Sequence, residues 1–323
     1  MSKVILSICI PTYDRPNRIS LLISQIISIQ SNEIEVVIVD DNPLNKRTEE
    51  VIRRFKDPRI QYFRNKKNLG YDANVLKTIN KAKGEFIFLL MDDDDIIPET
   101  IPFIIKTIKE TDEITHIFGH LSDDRASSGY HYSKTKYTEK IFKRGQESLE
   151  NLLFFYSHAS GLVIRRDILD LQKALKYIGS LYIQEALVAQ ALIKGDTIRL
   201  SKVFVHCLSD AEGSDQILIK GKKHWHPTGK INVYKYRIKI LYDIVKDLEN
   251  GESVKKIILN RMLDKLYDSL YSSLVDKDYK YYINIKAFLD SLSIISQIDK
   301  IARKPSFWVR LLYEMIKKLV TNL

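Results

Sequence analysis

The chain has little cysteine and no long apolar run, and both shortages narrow what it can be. Its 323 residues include two cysteines, Cys9 and Cys207, which are too few for a disulfide framework. Cys9 lies inside a short apolar run that begins at Val4 and breaks at Pro11, which suits a buried strand better than a secretory signal. No apolar stretch is long enough to span a bilayer. We therefore expect a cytoplasmic protein with reduced thiols.

Several short catalytic motifs are also absent. The sequence contains no Walker P-loop, no GxGxxG, no HExxH, no paired CxxC and no GxSxG nucleophile elbow. No recognised nucleic-acid-binding motif occurs either, although the net charge is +10 and there are 18 tyrosines. We therefore expect no nucleic-acid partner.

Charge is distributed unevenly along the chain. Residues 1–100 contain equal numbers of basic and acidic side chains, whereas residues 201–323 contain 22 lysines and arginines against 14 aspartates and glutamates. A basic C-terminal part predicts an anionic partner, and composition alone does not choose between nucleic acid, a membrane surface and a lipid diphosphate.

The first part of the chain alternates between two patterns. Continuous apolar runs separated by segments with helical spacing indicate a parallel sheet covered on both faces. The runs predicted as strands are 4–11, 34–41, 60–65, 84–92 and 114–120, and the segments predicted as helices are 17–30, 48–56, 71–83 and 98–110.

The second part is less regular. Residues 121–150 are polar and are predicted as a long surface loop or lid, and residues 208–230 as an irregular segment. Between them we expect strands over 160–166 and 197–207 and a helix over 182–195. Beyond residue 230, the Lys/Leu/Ile-rich sequence predicts amphipathic helices. The last, 307–323, either packs on the preceding helices, which is our interpretation, or lies on a membrane surface.

Four consecutive carboxylates, Asp92 to Asp95, follow the apolar run 84–92. Adjacent anions repel one another, and a hard divalent cation such as Mg²⁺ or Mn²⁺ would neutralise them. The carboxyl end of a strand in an open α/β sheet is also where ligands usually bind. The alternative is a solvated acidic turn before a helix that starts near Pro98.

Three stretches carry a resemblance to a known family. SICIPTYDRPNRI, IEVVIVDDNPLNKRTEEVI and NLGYDANVLKTINKAKGEFIFLLMDDDDIIPETI together resemble the family-2 glycosyltransferases, which have the GT-A nucleotide-binding fold. Farther on, SHASGLVIRRDIL and YIGSLYIQEALVAQALIKG are similar to the bacterial O-antigen and capsule branch, which includes abequosyltransferase-like proteins.

The resemblance implies an α/β fold with a mostly parallel central sheet and a particular division of the chain. Residues 1–228 would form the GT-A domain, with a nucleotide-binding half over 1–120 and an acceptor half over 121–228. The amphipathic pattern beyond residue 230, and not the resemblance, predicts an all-helical region over 229–323 that contacts a membrane or a partner.

The resemblance also assigns nucleotide-binding roles, although this sequence differs from the family's usual residues at two places. Asp14 replaces the usual Asn, and Asn42-Pro43 replaces Gly-Ser after the strand-end acids. The implied residues are Pro11, Thr12 and Tyr13 around the base, Asp40 and its neighbour Asp41 at the second strand end, and Arg64, Asn68 and Gly70 in the segment that closes over the nucleotide.

Within the acidic run, Asp92 and Asp94 match the DXD pair of the family. Asp94 would coordinate the metal, and Asp92 would bind ribose, metal or both, with Asp93 and Asp95 as open alternatives. Such a cation neutralises a diphosphate and stabilises the departing nucleotide.

The general base is implied to lie at the start of the helix 182–195. The family usually has a Glu-Asp pair there, whereas this chain has Gln184-Glu185. Glu185 is our choice for the base, and a structural glutamate is the alternative.

Four histidines remain open. His224 and His226 form an HxH that either completes a metal site or is incidental. His158 and His206 either line the sugar pocket or pack against neighbouring residues.

We therefore predict an inverting glycosyltransferase that uses a nucleotide-diphosphate sugar and a divalent cation. The acceptor would be a hydroxyl of a lipid-linked glycan or cell-envelope polysaccharide precursor, and the protein would lie in the cytoplasm or on the inner face of the cell membrane. The alternative is a non-catalytic module that binds a nucleotide sugar or polyanion and recruits partners through its helical tail.

Overall fold

A computed structural model describes residues 3–44, 46–123, 138–154, 158–207 and 229–262, with side chains from 236 onward in the last range. The predictions for the segment 208–228, for His224 and His226 and for the helices beyond residue 262 lie outside the described residues.

The first four strands form a parallel array in the order β3-β2-β1-β4. The strands are β1 (Leu6–Thr12), β2 (Ile34–Asp40), β3 (Ile60–Arg64) and β4 (Phe86–Leu89), and the helices between them are α1 (Pro16–Ile27), α2 (Arg47–Ile52) and α3 (Tyr71–Lys81). Every residue of β1 and β2 is buried, as expected of strands with helices on both faces. The predicted alternation is confirmed here.

The sheet then continues with mixed strand directions. Its remaining strands are β5 (Asp94–Ile96), β6 (Ile114–Asp123), β7 (Lys140–Phe142), β8 (Leu162–Arg165) and β9 (Asp196–Cys207), and its helices are α4 (Ile101–Glu110), α5 (Gln146–Leu152), α6 (Leu171–Ala174), α7 (Ile183–Lys194) and α8 (Gly229–Val245). The full order is β3-β2-β1-β4-β8-β6-β9-β5, with β7 also paired to β9. Residues 251–262 are also helical.

Two local predictions need correction. The surface loop predicted over 121–150 carries the end of β6, all of β7 and helix α5 within its described part. Phe142 and Leu149 anchor β7 and α5 in the core. These elements are short, and the charged residues around them hide their apolar pattern in the sequence. The alternative offered for the acidic run, a solvated turn, is wrong in part, because Asp94–Ile96 forms a strand that pairs antiparallel with β9.

Alternate side chains of the strands pack into two hydrophobic cores on opposite faces of the sheet. One face is covered by α1 and α4. The other is covered by α3, α5 and α7, and also by Ile240, Leu241 and Val245 of α8. The described part of the C-terminal helices therefore packs directly on the sheet domain, and the predicted domain boundary at residue 228 stays a prediction.

Within the described residues, no helix is both long and apolar enough to cross a membrane.

Candidate active site

The carboxyl ends of β1, β2 and β3 are in register at one edge of the sheet. Thr12 is paired with Asp40, and Asp40 with Arg64. The acidic run leaves β4 at the same edge, because β4 is parallel to β1. The structure thus brings together residues that are up to 80 positions apart in sequence.

Asp92 is fixed from two sides. One carboxylate oxygen accepts a hydrogen bond of 2.6 Å from Thr12 Oγ1, and the other lies 3.1 Å from Arg15 Nη1. Burial raises the pKa of Asp92 to about 6, with Asp93 acting in the same direction and Arg15 and Thr12 opposing it. Burial makes the ionised form of Asp92 costly, and a nearby cation would stabilise that form.

Two arginines of the α1 segment balance the acidic run, and the sequence analysis did not identify them. Arg15 contacts Asp93 as well as Asp92, at 3.2 Å. The buried Arg18 binds the Asp95 carboxylate at 2.7 Å and the Asp94 backbone oxygen at 3.1 Å. Arg15 immediately precedes α1 and Arg18 lies in its first turn, so both side chains reach the acidic run from the start of this helix. The positive charges of Arg15 and Arg18 therefore offset part of the repulsion among the four aspartates, which a metal ion alone was expected to neutralise.

Asp94 lies in a cluster of different chemistry. Its carboxylate accepts a hydrogen bond of 2.6 Å from Ser160 Oγ and lies 3.6 Å from His158 Nε2. The Cys207 sulfur lies 3.6 Å from the same histidine nitrogen. One ligand atom from each of Asp94, His158 and Cys207 falls within 4.8 Å of the others, which is a suitable separation for binding one metal ion.

The chain topology explains this cluster. Cys207 is opposite Asp94 in the antiparallel pairing of β5 with β9, and His158 precedes β8, the neighbour of β4. Asp92 is not part of this group of three, and its role as a metal ligand stays a prediction.

The two strand-end acids have different partners. The Asp40 carboxylate accepts hydrogen bonds from the Asn42 N–H at 2.9 Å and from the Tyr62 hydroxyl at 3.1 Å, and burial raises its pKa. The Asp41 carboxylate accepts hydrogen bonds from the N–H groups of Leu69 at 2.8 Å and Gly70 at 2.9 Å. Asp41 therefore holds the segment that contains Asn68 and Gly70, and Gly70 adopts a positive φ of 81°.

The other predicted nucleotide-binding residues occupy the same edge. Pro11 and Thr12 end β1, and Tyr13 follows them with a half-buried side chain. Arg64 is the last residue of β3, and Asn68 is exposed in the segment that Asp41 holds, where its side-chain oxygen accepts the Gly70 N–H at 2.9 Å.

Glu185 lies in the first turn of α7, as predicted, but its side chain is 2% exposed. Arg237 of α8 donates hydrogen bonds to both Glu185 oxygens, from Nε at 3.1 and 2.9 Å and from Nη2. Arg237 was not identified from the sequence, because 52 residues separate it from its partner.

Tyr71 connects this helix with the acidic run. Its hydroxyl lies 3.5 Å from Gln184 Oε1 and 3.6 Å from Met91 Sδ. Burial raises the pKa of Tyr71, and the negative charges of Asp72, Asp93 and Asp94 add to the effect. The start of α7 is therefore close to the acidic run.

The structure places two of the four histidines that the sequence left open. His158 belongs to the Asp94 cluster, whereas His206 Nδ1 lies 2.6 Å from Ser122 Oγ. Ser160 and Cys207, like Arg237, were not identified, since only strand pairing brings them to Asp94.

Comparisons with known proteins agree on one family. A sequence model of glycosyl transferase family 2 matches residues 7–171, just over half of the chain. An uncharacterized glycosyltransferase of Methanocaldococcus jannaschii is 29% identical over 185 residues, which are 55% of this chain and 60% of that protein. An abequosyltransferase of Salmonella typhimurium is 29% identical over 106 residues, 31% of this chain and 32% of that protein. The chain thus spans at most about 60% of these relatives' length.

Solved structures show the same fold. Staphylococcus aureus TarS 1–349 in complex with UDP-GlcNAc has a TM-score of 0.67 at 17% identity, covering 88% of this chain and 81% of that one. The mannosyltransferase PcManGT of Pyrobaculum calidifontis, in complex with GDP-Man and Mn²⁺, has a TM-score of 0.54 at 13% identity, covering 100% of this chain and 88% of that one. The predicted GT-A fold is confirmed, and the similarity to an abequosyltransferase agrees with the predicted resemblance to the O-antigen and capsule branch. The chain belongs to glycosyl transferase family 2.

Proposed function

We propose that this protein is a metal-dependent inverting glycosyltransferase that transfers a sugar from a nucleotide-diphosphate sugar to a hydroxyl of a lipid-linked glycan or cell-envelope polysaccharide precursor. The observation that carries the proposal is the gathering of Thr12, Asp40, Asp92 and Asp94 at the carboxyl edge of the parallel strands. Ligands of open α/β sheets bind at that edge.

The nucleotide would lie across the ends of β1, β2 and β3. Tyr13 offers an aromatic face for stacking on the base, and Asp40 offers a carboxylate at the end of β2. Gly70, held by Asp41, would let the backbone approach the nucleotide closely. Relatives of known structure were solved with UDP-GlcNAc or with GDP-Man, which supports the donor class without choosing the base.

The residues of the Asp94 cluster fit a divalent cation. A carboxylate, an imidazole and a thiol supply oxygen, nitrogen and sulfur ligands, and this set suits Mn²⁺ better than Mg²⁺, which prefers oxygen alone. When bound, the cation would neutralise the diphosphate. Asp92, which Thr12 and Arg15 hold in place, is proposed to contact the ribose, the cation or both.

Glu185 is proposed as the general base. Its carboxylate would take the proton of the acceptor hydroxyl while the acceptor oxygen bonds to the anomeric carbon. The bond from that carbon to the diphosphate breaks in the same displacement, so the configuration inverts. Glu185 lies in the first turn of α7. Its neighbour Gln184 contacts Tyr71, which also contacts Met91 at the start of the acidic run, and this placement supports the role.

The acceptor class rests on charge and on relatives. The basic residues of the C-terminal part suit a lipid diphosphate or an anionic membrane surface. A relative from Campylobacter jejuni, 28% identical over 118 residues, is a glucosyltransferase that acts on GalNAc(5)-diNAcBac-PP-undecaprenol. We propose a cytoplasmic location with peripheral contact to the inner face of the membrane.

A thermal-shift panel tests the proposal directly. UDP, GDP, CDP and dTDP would each be added with and without Mn²⁺, and one of them should raise the melting temperature markedly only with Mn²⁺. A ligand at 100 times its dissociation constant adds about 2.7 kcal/mol to the free energy of unfolding. The variant Asp94→Ala should lose the Mn²⁺-dependent part, whereas Asp112→Asn, a change at an exposed residue, should keep it. A panel without any response, or an Asp94→Ala variant that responds like the unchanged protein, would overturn the proposal.

A further inference from the structure

The pair of Glu185 and Arg237 joins the catalytic side of the sheet domain to the C-terminal helices. Both carboxylate oxygens are bound by the guanidinium group. The two side chains are 2% and 12% exposed, so solvent screens their interaction little. A bidentate contact of this kind fixes the orientation of the Glu185 carboxylate as well as balancing its charge.

The arginine is itself held in one orientation. Its guanidinium carbon lies 5.5 Å from the ring centre of Phe154 and 5.4 Å from that of Tyr182. Flat aromatic faces at this distance attract a guanidinium group and limit its rotation. The carboxylate of Glu185 therefore faces a partner that has little freedom to move.

Burial makes that partner necessary for a general base. A carboxylate removed from water favours its neutral, protonated form, which cannot accept a proton. A bound guanidinium group offsets this cost and keeps the carboxylate ionised. The base role requires the acceptor hydroxyl to reach a carboxylate oxygen that Arg237 holds, on a side chain that is 2% exposed.

We infer that Arg237 is a positioning residue for Glu185 and that helix α8 is therefore part of the catalytic apparatus as well as packing on the sheet domain. This inference rests on the proposed function of Glu185 as the base. It gives the C-terminal helical region a role in the reaction that is separate from any contact with a membrane or a partner.

The same helix has a second attachment that serves as a matched control. Asp243 of α8 accepts a hydrogen bond of 2.7 Å from the Tyr177 hydroxyl and pairs with Lys176 at 2.7 Å. Weakening this contact loosens α8 without touching Glu185. Loss of helix docking can thus be distinguished from loss of the guanidinium group.

The experiment measures donor hydrolysis with Mn²⁺, using UDP-GlcNAc, UDP-glucose and GDP-mannose as probes and release of the nucleoside diphosphate as the readout. Arg237→Gln should lower kcat on the order of a hundredfold, within the range that a general base contributes, and leave nucleotide affinity within about twofold. The kcat of Arg237→Lys should lie between those of Arg237→Gln and the unchanged protein, because one ammonium group cannot bind two oxygens in a fixed bidentate geometry. Asp243→Asn should keep kcat within about twofold of the unchanged protein.

A double variant decides whether Arg237 acts through Glu185. In the Glu185→Gln background, Arg237→Gln should cause no further loss of kcat, because the interaction is already absent. Independent losses that multiply in the double variant, or equal losses from Asp243→Asn and Arg237→Gln, would overturn the inference. Where Arg237→Gln melts too low for assay, Arg237→Lys carries the same comparison.

Failure of the proposed function gives a different pattern. If Glu185→Gln and Asp94→Ala both hydrolyse the donor at the rate of the unchanged protein, the assignment of the base and the metal site fails. If Glu185→Gln is inactive while Arg237→Gln is fully active, the proposed base stands and only the role of Arg237 is lost.

Discussion

The carboxylate of Asp72, at the start of α3, accepts a hydrogen bond of 2.7 Å from the backbone N–H of Gly179, more than 100 residues later in the chain. The same carboxylate accepts the N–H groups of Leu181 at 3.0 Å and Ile183 at 3.3 Å. Asp72 therefore ties the helix that follows the nucleotide segment to the turn that leads into α7. Burial raises the pKa of this group, against the effect of these hydrogen bonds.

Replacing Asp72 with Asn should destabilise the fold and disturb the start of α7. The amide can accept fewer of these hydrogen bonds and presents its own donors to backbone donors, so we expect a loss of about 2 kcal/mol in the free energy of unfolding. Urea unfolding would measure this loss. The control is Asp112→Asn, at an exposed position, which should leave stability unchanged. Equal stability of the two variants would contradict the role given to Asp72.

Gly70 tests the segment that closes over the nucleotide. Its φ is +81° and its ψ is 163°, a backbone region that is almost confined to glycine. An added Cβ would meet no atom within 4 Å, so Gly70→Ala should cost only the backbone strain of about 1–3 kcal/mol. Because the Asp41 carboxylate binds the Gly70 N–H, that strain should also weaken nucleotide binding. Isothermal titration with the nucleoside diphosphate would measure the change in affinity.

A matched control comes from Gly145, which has a φ of +80° and equally open surroundings but precedes α5. Gly145→Ala should lose similar stability and retain nucleotide affinity. If both variants bind the nucleotide as the unchanged protein does, the Gly70 segment has no part in binding.

The sequence allowed the parallel half of the fold and one half of the site to be predicted, for physical reasons. Continuous apolar runs identify β1, β2 and β4, because strands covered on both faces have no polar side. The carboxyl ends of parallel strands meet at one edge, which placed the acidic run there, and the family resemblance placed Thr12 and Asp40 in the same site.

The rest depended on contacts that no local pattern encodes. Cys207 reaches Asp94 only through the antiparallel pairing of β5 with β9, and Arg237 reaches Glu185 only because α8 packs on α7. The short strand Asp94–Ile96 was missed for a related reason. Its two aspartates are poor strand formers in isolation, and their pairing with β9 overrides that preference.

Cys207 should be detectable as a metal ligand by spectroscopy. Bound Co²⁺ in contact with a thiolate gives a charge-transfer absorption band, and soft sulfur ligands favour such cations over Mg²⁺. We expect this band in the unchanged protein and its loss in Cys207→Ser. The chain's other cysteine, Cys9, is buried in β1, so Cys9→Ala should retain the band. A band that persists in Cys207→Ser would remove sulfur from the proposed ligand set, leaving Asp94 and His158.

His116 should make stability depend on pH, independently of the active site. It is buried on β6 with its ring stacked 5.5 Å from Phe118, and neither ring nitrogen has a hydrogen-bond partner among the described residues. Burial lowers the pKa of His116 from 6.5 to about 3 in the folded state. Between these values the unfolded chain binds the proton and the folded chain does not, so stability falls as the pH drops below 6.5.

The variant His116→Phe isolates this effect, because a phenyl ring fills similar space and takes up no proton. Urea unfolding between about pH 7.5 and about pH 4.5 should show a stability difference between the variant and the unchanged protein that grows toward low pH, by at most about 1.4 kcal/mol per pH unit. His120→Gln, at a partly exposed position on the same strand, should leave most of the slope in place. A constant difference between His116→Phe and the unchanged protein would contradict the lowered pKa of the buried imidazole.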